Sequence, residues 1–442
     1  ISDDESSSEP DGDNCNNPIL CGENLFSSEP EGVLDRLKFR LEKDASASDE
    51  YVKRTAYPLW QIVIGILIIS GVAVLAYWPL LNAPLYKIFP WGSDTWGHLF
   101  KAEFLYREIV NGNYYPQFMS DWYNGCQPFR YWAPLPYYVL ALINHFTQNI
   151  FAAGNYYIFA CALLGGLGCL LFARRLGLWP AVMLGIIWLI WPDNVQIALS
   201  EGNLPRILAT GFLPLLFYAF METVNDKKRI WPLLVTIVTI HIVILCHAMI
   251  GAIYIICLLI FALLWWLFDG CSFTGLIRGM SSIILGVISS AWWLLPSLKG
   301  GLTSMGAGAT GGIRYVSPTI SFNPIFRFSN KEEFYWGIAL LIVTFFSVIL
   351  WRKKPAWAKS LIITGLFLVL LTFPAFSWLH QLLPLSHILW PLRFTSFASF
   401  ALLAGGFAIS FSYLKNVEQS KKKYLRIIIA SLFVVLLIDS CY

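Results

Sequence analysis

From Pro58 onward the chain alternates apolar runs of helix length with short polar stretches. The runs lie near 58–80, 152–173, 178–193, 207–223, 231–248, 250–268, 280–298, 334–351, 359–374, 392–413 and 425–441. A bilayer core is crossed by about 20 apolar residues in an α-helix, and lipid offers no partner to an exposed backbone amide. The pattern therefore predicts an all-α polytopic membrane protein with about eleven transmembrane helices. A further apolar stretch, 134–146, is ambiguous by length alone.

Composition strengthens this reading. Of 442 residues, 57% are hydrophobic and only 13% charged, with a mean hydropathy of +0.60; soluble domains carry about 25% charged residues. Trp and Tyr gather near the ends of the runs, where amphipathic rings sit at a bilayer interface. A net charge of +4 gives no support to a nucleic-acid partner. Cys161, Cys169, Cys246 and Cys257 lie inside apolar runs and read as small hydrophobes. Residues 1–50 are acidic and Ser-rich, too poor in apolar surface to fold alone, and are predicted to form a disordered cytoplasmic leader. Cys15 and Cys21 within it lack the two further ligands of a tetrahedral metal site. The leader has no basic start followed by an apolar stretch, as a signal peptide would. Residues 51–442 read as one transmembrane domain, and because Tyr442 falls inside an apolar run the domain reads as truncated there.

Positive charge sets the expected topology, since Lys and Arg in short loops stay cytoplasmic. Lys53 and Arg54 put the start of the first span inside. With 134–146 as an interfacial or re-entrant helix, Arg174 and Arg175, then Lys227, Lys228 and Arg229, then Arg278, then Arg352, Lys353 and Lys354, then Lys415 with Lys421, Lys422 and Lys423 all fall inside. With 134–146 as a span, Arg174 and Arg175 fall outside. The outer side is then built from a long first loop (82–151), a short stretch around Glu201–Arg206, a turn near His247, a loop at 299–333 and a segment at 375–391.

The densest constellation is Trp91-Gly92-Ser93-Asp94-Thr95-Trp96-Gly97-His98 in the first outer loop. Ser93 or Asp94 is a natural N-cap for a following helix through Val110. Asp94, His98 and Lys101 stand at i, i+4 and i+7, within a fan of about 60° on one face. A carboxylate, an imidazole and an ammonium thus become neighbours, although a capped interfacial helix with solvated charges has the same spacing. Downstream come Asn111-Gly112-Asn113-Tyr114-Tyr115-Pro116 and the Pro- and aromatic-rich Asn124–Tyr137 segment, a composition suited to a rigid interfacial platform.

These motifs, with Glu201-Gly202-Asn203-Leu204-Pro205-Arg206, Ala291-Trp292-Trp293-Leu294-Leu295-Pro296 and Pro391-Leu392-Arg393-Phe394, resemble membrane glycosyltransferases of the GT-C fold. The resemblance is strongest to YfhO-like members, also called 6-pyruvoyl-tetrahydropterin synthase-related membrane proteins, and covers roughly 58–442. It implies transfer of a sugar from a polyprenyl-phosphate carrier to a glycan or protein acceptor, with inversion, on the outer face of a prokaryotic cell membrane. It also implies that the base is Asp94, at the position matching the family's first-loop Asp. Arg is suited to phosphate by its fixed fork of donors. The outer-side arginines are Arg130, Arg206, Arg314, Arg327 and Arg393, of which Arg393 opens an apolar span where an unpaired charge is expensive. His98, Lys101, Glu201 and His247 complete the expected substrate-binding set, with Glu201 and Arg206 equally able to pair with each other. No cofactor is expected. Some relatives hold a divalent metal between paired acids, but Asp94 has no acidic neighbour in sequence, and only Asp121 or Glu201 can join it across the fold.

Two other classes compete. A transporter or flippase of a lipid-linked glycan places ionisable residues along a mid-membrane path, whereas these spans are mostly free of acids, with Asp193 near one end of its run and Asp439 near the last residue among the few. A non-catalytic GT-C relative that binds a glycan or scaffolds a membrane complex fits the same residues.

Overall fold

A computed structural model describes residues 57–86, 92–122, 124–225, 228–302, 338–351, 355–416, 430–431 and 433–435. The leader, Lys53 and Arg54, Trp91, Lys227, Arg314 and Arg327, the 352–354 and 421–423 clusters and most of the run at 425–441 lie outside them. Among the described residues the long elements are all helices, and the one β contact is an isolated bridge between Met119 and Cys126.

The helices are α1 (Leu59–Ala76), α2 (Trp78–Tyr86), α3 (Thr95–Val110), α4 (Leu135–Thr147), α5 (Ile150–Gly168), α6 (Leu178–Leu189), α7 (Leu204–Asn225), α8 (Trp231–Cys246), α9 (Ala248–Leu267), α10 (Phe273–Ser289), α11 (Ala291–Lys299), α12 (Ile338–Ile349), α13 (Ala356–Thr372) and α14 (Thr395–Asn416). Six are long and apolar enough to cross a membrane, once α5 is continued through Leu176, α6 through Glu201 and α14 begun at Pro391. The number rises to eight if α10 with α11, bent by 65°, and α13 with Pro374–Gln381, bent by 100°, each count as one span. Among the described residues the expected count of about eleven is not confirmed. Helix α8 has 16 residues and rises roughly 24 Å, short of a core of about 30 Å; α12 is shorter still. A run of apolar residues does not reveal that its helix stops early or turns sideways.

Helix α4 has 13 residues and rises roughly 20 Å, too little to span. It packs instead against α3 and α5, with Asn144 donating to Glu103 of α3 at 2.9 Å.

The centre is close-packed around α5, α6 and α7. Small residues let backbones meet: a Cβ on Gly185 would lie 2.6 Å from the Gly166 carbonyl, and one on Gly211 would lie 2.7 Å from that of Cys161. Around these contacts Phe400 meets Trp188 and Phe217 edge to face, and Phe172 stacks on Phe217. By contrast α1 leaves Leu59, Trp60, Leu67 and Leu75 exposed, as a lipid-facing helix does.

Polar residues separate to the two ends of this bundle. At one end Arg175 pairs with Glu222 at 2.8 Å and Arg278 donates to the Arg229 carbonyl. Arg206 stands at the other end of α7, sixteen residues from Glu222 and so roughly 24 Å away.

Candidate functional site

The loop that leads into α3 is fastened to the Glu201–Arg206 motif through backbone. The Ser93 amide donates to the Ser200 carbonyl at 3.1 Å, and the Asp94 amide donates to the Glu201 carbonyl at 2.8 Å. The Ser93 hydroxyl donates to the same Glu201 oxygen at 2.9 Å. Residues Gln196–Glu201 form a π turn, a rare geometry often found where function requires it, and Gly202 closes it with φ of 67°. A Cβ on Gly202 would lie 2.0 Å from Thr95 Oγ1 and 2.8 Å from Gly92 Cα, so the two motifs meet only because both positions are glycine.

This fastening places Asp94 at the N-cap of α3, yet its carboxylate makes no capping hydrogen bond. The residue is open to solvent on one side and walled on the others. Burial raises its pKa, with Arg393 pulling it down, Glu201 pushing it up and Lys101 pulling it down. His98 lies one turn along, 7% exposed, with Nδ1 2.9 Å from the Tyr137 hydroxyl of α4. Burial first, then Lys101, His247 and Arg393, hold its pKa well below the ordinary value, which favours the neutral ring. Burial likewise raises the Tyr137 phenol well above its usual range.

Lys101 is buried in an aromatic cage. Its Nζ lies 4.5 Å from the Trp122 ring centroid, 4.3 Å from Trp132 and 5.9 Å from Tyr137. Burial pushes its pKa down to about 8, while Cys126 and Asp94 pull it back up. A cation on an aromatic face gains up to about 2 kcal/mol, less than the several kcal/mol that desolvating an ion costs. The cage therefore holds the ammonium without fixing its charge.

On the facing side, Arg393 sits in the Pro391–Phe394 turn that opens α14, 8% exposed. Its Nη1 donates to His247 Nε2 at 3.4 Å, and its guanidinium carbon lies 4.9 Å from the Trp390 ring centroid. His247 occupies the extended break between α8 and α9. Beneath Arg393, Arg206 is fully buried: Nη1 donates to Glu201 Oε1 at 2.8 Å, and Nη2 lies 3.3 Å from Ser396 Oγ, 3.5 Å from Thr395 Oγ1 and 3.9 Å from Asp193 Oδ1. Asp193 in turn accepts from Thr395 at 3.1 Å and Ser396 at 2.8 Å.

The structure thus gathers Asp94, His98, Lys101, Glu201, Arg206, His247 and Arg393 at one end of the bundle. Arg206 belongs inside the wall rather than on its surface. Arg130 has other partners: it donates to Gln127 at 2.8 Å and packs on Gly300 at the end of α11, where a Cβ would lie 2.0 Å from its Nε. Asp121 is exposed and accepts from Ser120. Among the described residues no three His, Cys, Asp or Glu side chains are grouped to hold a metal ion. Sequence reasoning missed the cage residues Trp122, Trp132 and Tyr137 and the role of Asp193, whose signal was an acid interrupting an apolar run at Trp191-Pro192-Asp193-Asn194.

Fold and site define a polytopic α-helical membrane protein with a polar, charge-dense cluster at one end of its bundle. Residues 129–442 match the family described as the 6-pyruvoyl-tetrahydropterin synthase related domain, a membrane protein family, and the chain belongs to it. The match takes in Glu201, Arg206, His247 and Arg393 and begins downstream of Asp94, His98 and Lys101. No curated protein matches the chain.

Proposed function

We propose that this chain is a membrane glycosyltransferase that moves a sugar from a polyprenyl-phosphate carrier to a glycan or protein acceptor on the non-cytoplasmic face. The observation that carries the reading is the pairing of an uncapped, solvent-open carboxylate at Asp94 with the Arg393 guanidinium close enough to act on its charge. The acceptor hydroxyl gives its proton to Asp94 as its oxygen bonds to the anomeric carbon. The bond from that carbon to the phosphate oxygen breaks on the opposite face, inverting the centre. Arg393 takes up the charge that develops on the departing phosphate, while neutral His98 and caged Lys101 line the approach. A raised Asp94 pKa suits a base working near neutral pH.

The separation of charge also supports this reading over transport. Arg175, Glu222, Arg229 and Arg278 occupy one end, and the Asp94 cluster the other, where a transport path would distribute ionisable groups between them. By the positive-inside rule the first of these ends is cytoplasmic and the N-terminus lies inside.

The test is sugar transfer in membranes carrying polyprenyl-linked donors, with wild type and Asp94→Asn at matched expression. The expected result is transfer by wild type and its loss in the variant; equal transfer by both removes Asp94 as the base. Sidedness is checked by thiol labelling: a cysteine at Ser120 reacts from outside and one at Lys228 does not, and the reverse result overturns the orientation.

A further inference from the structure

Arg206 lies where it can fix the geometry between two parts of the site that arrive from distant stretches of chain. Asp94 comes from the loop before α3, and Arg393 from the turn before α14, almost three hundred residues later. Each reaches the same buried guanidinium by a short path. On one side Nη1 holds the Glu201 carboxylate at 2.8 Å, and the backbone carbonyl of Glu201 receives both the Asp94 amide and the Ser93 hydroxyl. On the other side Nη2 reaches Ser396 and Thr395, the residues that follow the Arg393 turn, with Asp193 closing the ring by accepting from both hydroxyls.

We infer that Arg206 is a positioning residue that sets the spacing between Asp94 and Arg393 by clamping the π turn at Glu201 and the start of α14 together. The inference rests on the glycosyltransferase reading for its catalytic consequence, but not for its structural content. Its full burial denies it contact with substrate, and a charge in that position persists only with partners on both sides. The guanidinium fork supplies this two-sided grip, whereas an ammonium is a single point of attachment. Misplacing a reacting group by about 1 Å can cost on the order of 100-fold in rate, so a clamp of this kind governs turnover without touching the reactants.

The experiment is amide hydrogen exchange on the full chain in nanodiscs, read over peptides covering 92–96, 391–397 and, as a reference, 178–189. Glu201→Gln is expected to speed exchange about tenfold over 92–96 only, Ser396→Ala over 391–397 only, and Arg206→Met over both, with the reference unchanged. Global loosening raises all three together and overturns the proposal, as does an Arg206→Met protein with both site peptides at the wild-type rate. If Arg206→Met fails to fold, the two one-sided variants decide: each must loosen its own segment alone, and any other pattern overturns the clamp. In the transfer assay Arg206→Met is expected to lower kcat about tenfold with the donor KM within twofold, and Arg206→Lys to restore only part of it. A wild type that transfers no sugar defeats the functional reading, while the exchange pattern still decides the clamp.

Discussion

The rim of the site and the wall beneath it are built from the same kinds of residue and behave differently. At the rim, Asp94 has an unused capping position, His98 is held neutral, and Lys101 rests on aromatic faces rather than on a carboxylate. In the wall, Asp193, Arg206, Thr395 and Ser396 interlock, the acid accepting two hydroxyls and the guanidinium spreading over acids and hydroxyls alike. Paired buried charges give rigidity and little chemistry, because their proton affinities are committed to one another. Charges left without a matched partner cost stability and retain reactivity. The difference between rim and wall is therefore the difference between machinery and mounting, and it is open to attack at named positions.

The largest effect is expected at Asp94. Asp94→Asn should lower transfer about 10³-fold, the range of a lost general base. Because the Asp94 pKa is raised and the base must be ionised, wild-type activity should fall as pH drops through a value above that of an ordinary aspartate; a rate flat down to the usual aspartate pKa would contradict the assignment. Next comes the contact between the two glycines. Gly202→Ala puts a methyl group within 2.0 Å of Thr95 Oγ1 at a φ of 67°, so the Asp94 loop must lift away, and transfer should drop about 100-fold. Arg393→Ala should cost a similar or slightly smaller factor, roughly 100-fold, as for one lost electrostatic donor, with Arg393→Lys in between.

Several of these relations are visible in the chain before any fold is known. Asp94, His98 and Lys101 share a helix face because their spacing follows the helical repeat, and Glu201 and Arg206 pair at 2.8 Å as their proximity in sequence allows. Arg393 was legible as a charge opening an apolar span. Partners fixed only by tertiary packing were not. Asp193 finds Thr395 and Ser396 some two hundred residues away, and the indoles around Lys101 come from a loop whose path no periodicity describes. The span count of about eleven is not confirmed among the described residues, and the bends at Ser290 and after Thr372 leave hydropathy unchanged, so a run that turns sideways looks like one that crosses.

Lys101 offers a smaller and more diagnostic effect, on stability rather than turnover. Its folded pKa of about 8 lies below the value of 10.5 expected in the unfolded chain. Between these values the unfolded state binds more protons, so this residue makes stability rise as pH climbs from about 8 to 10.5. Below pH 8 it is charged in both states and the folded protein bears the full cost of burying it. Lys101→Met should therefore raise the melting temperature at neutral pH and abolish that alkaline rise. A variant that melts lower at pH 7 would mean that the aromatic cage stabilises the ammonium more than burial penalises it.

Arg130 should matter least, and that is what makes it informative. By residue type it is as good a phosphate ligand as Arg393, and it lies, like Asp94, in the stretch between α2 and α5. The structure engages it with Gln127 and the backbone at Gly300. Arg130→Ala should then leave transfer within about twofold of wild type and cost roughly 1 kcal/mol of stability, the net worth of an ordinary hydrogen bond. A loss of transfer comparable to that of Arg393→Ala would mean that the guanidinium swings to the site when substrate binds. The boundary between rim and wall would then have to be redrawn to include the turn Pro128–Tyr131.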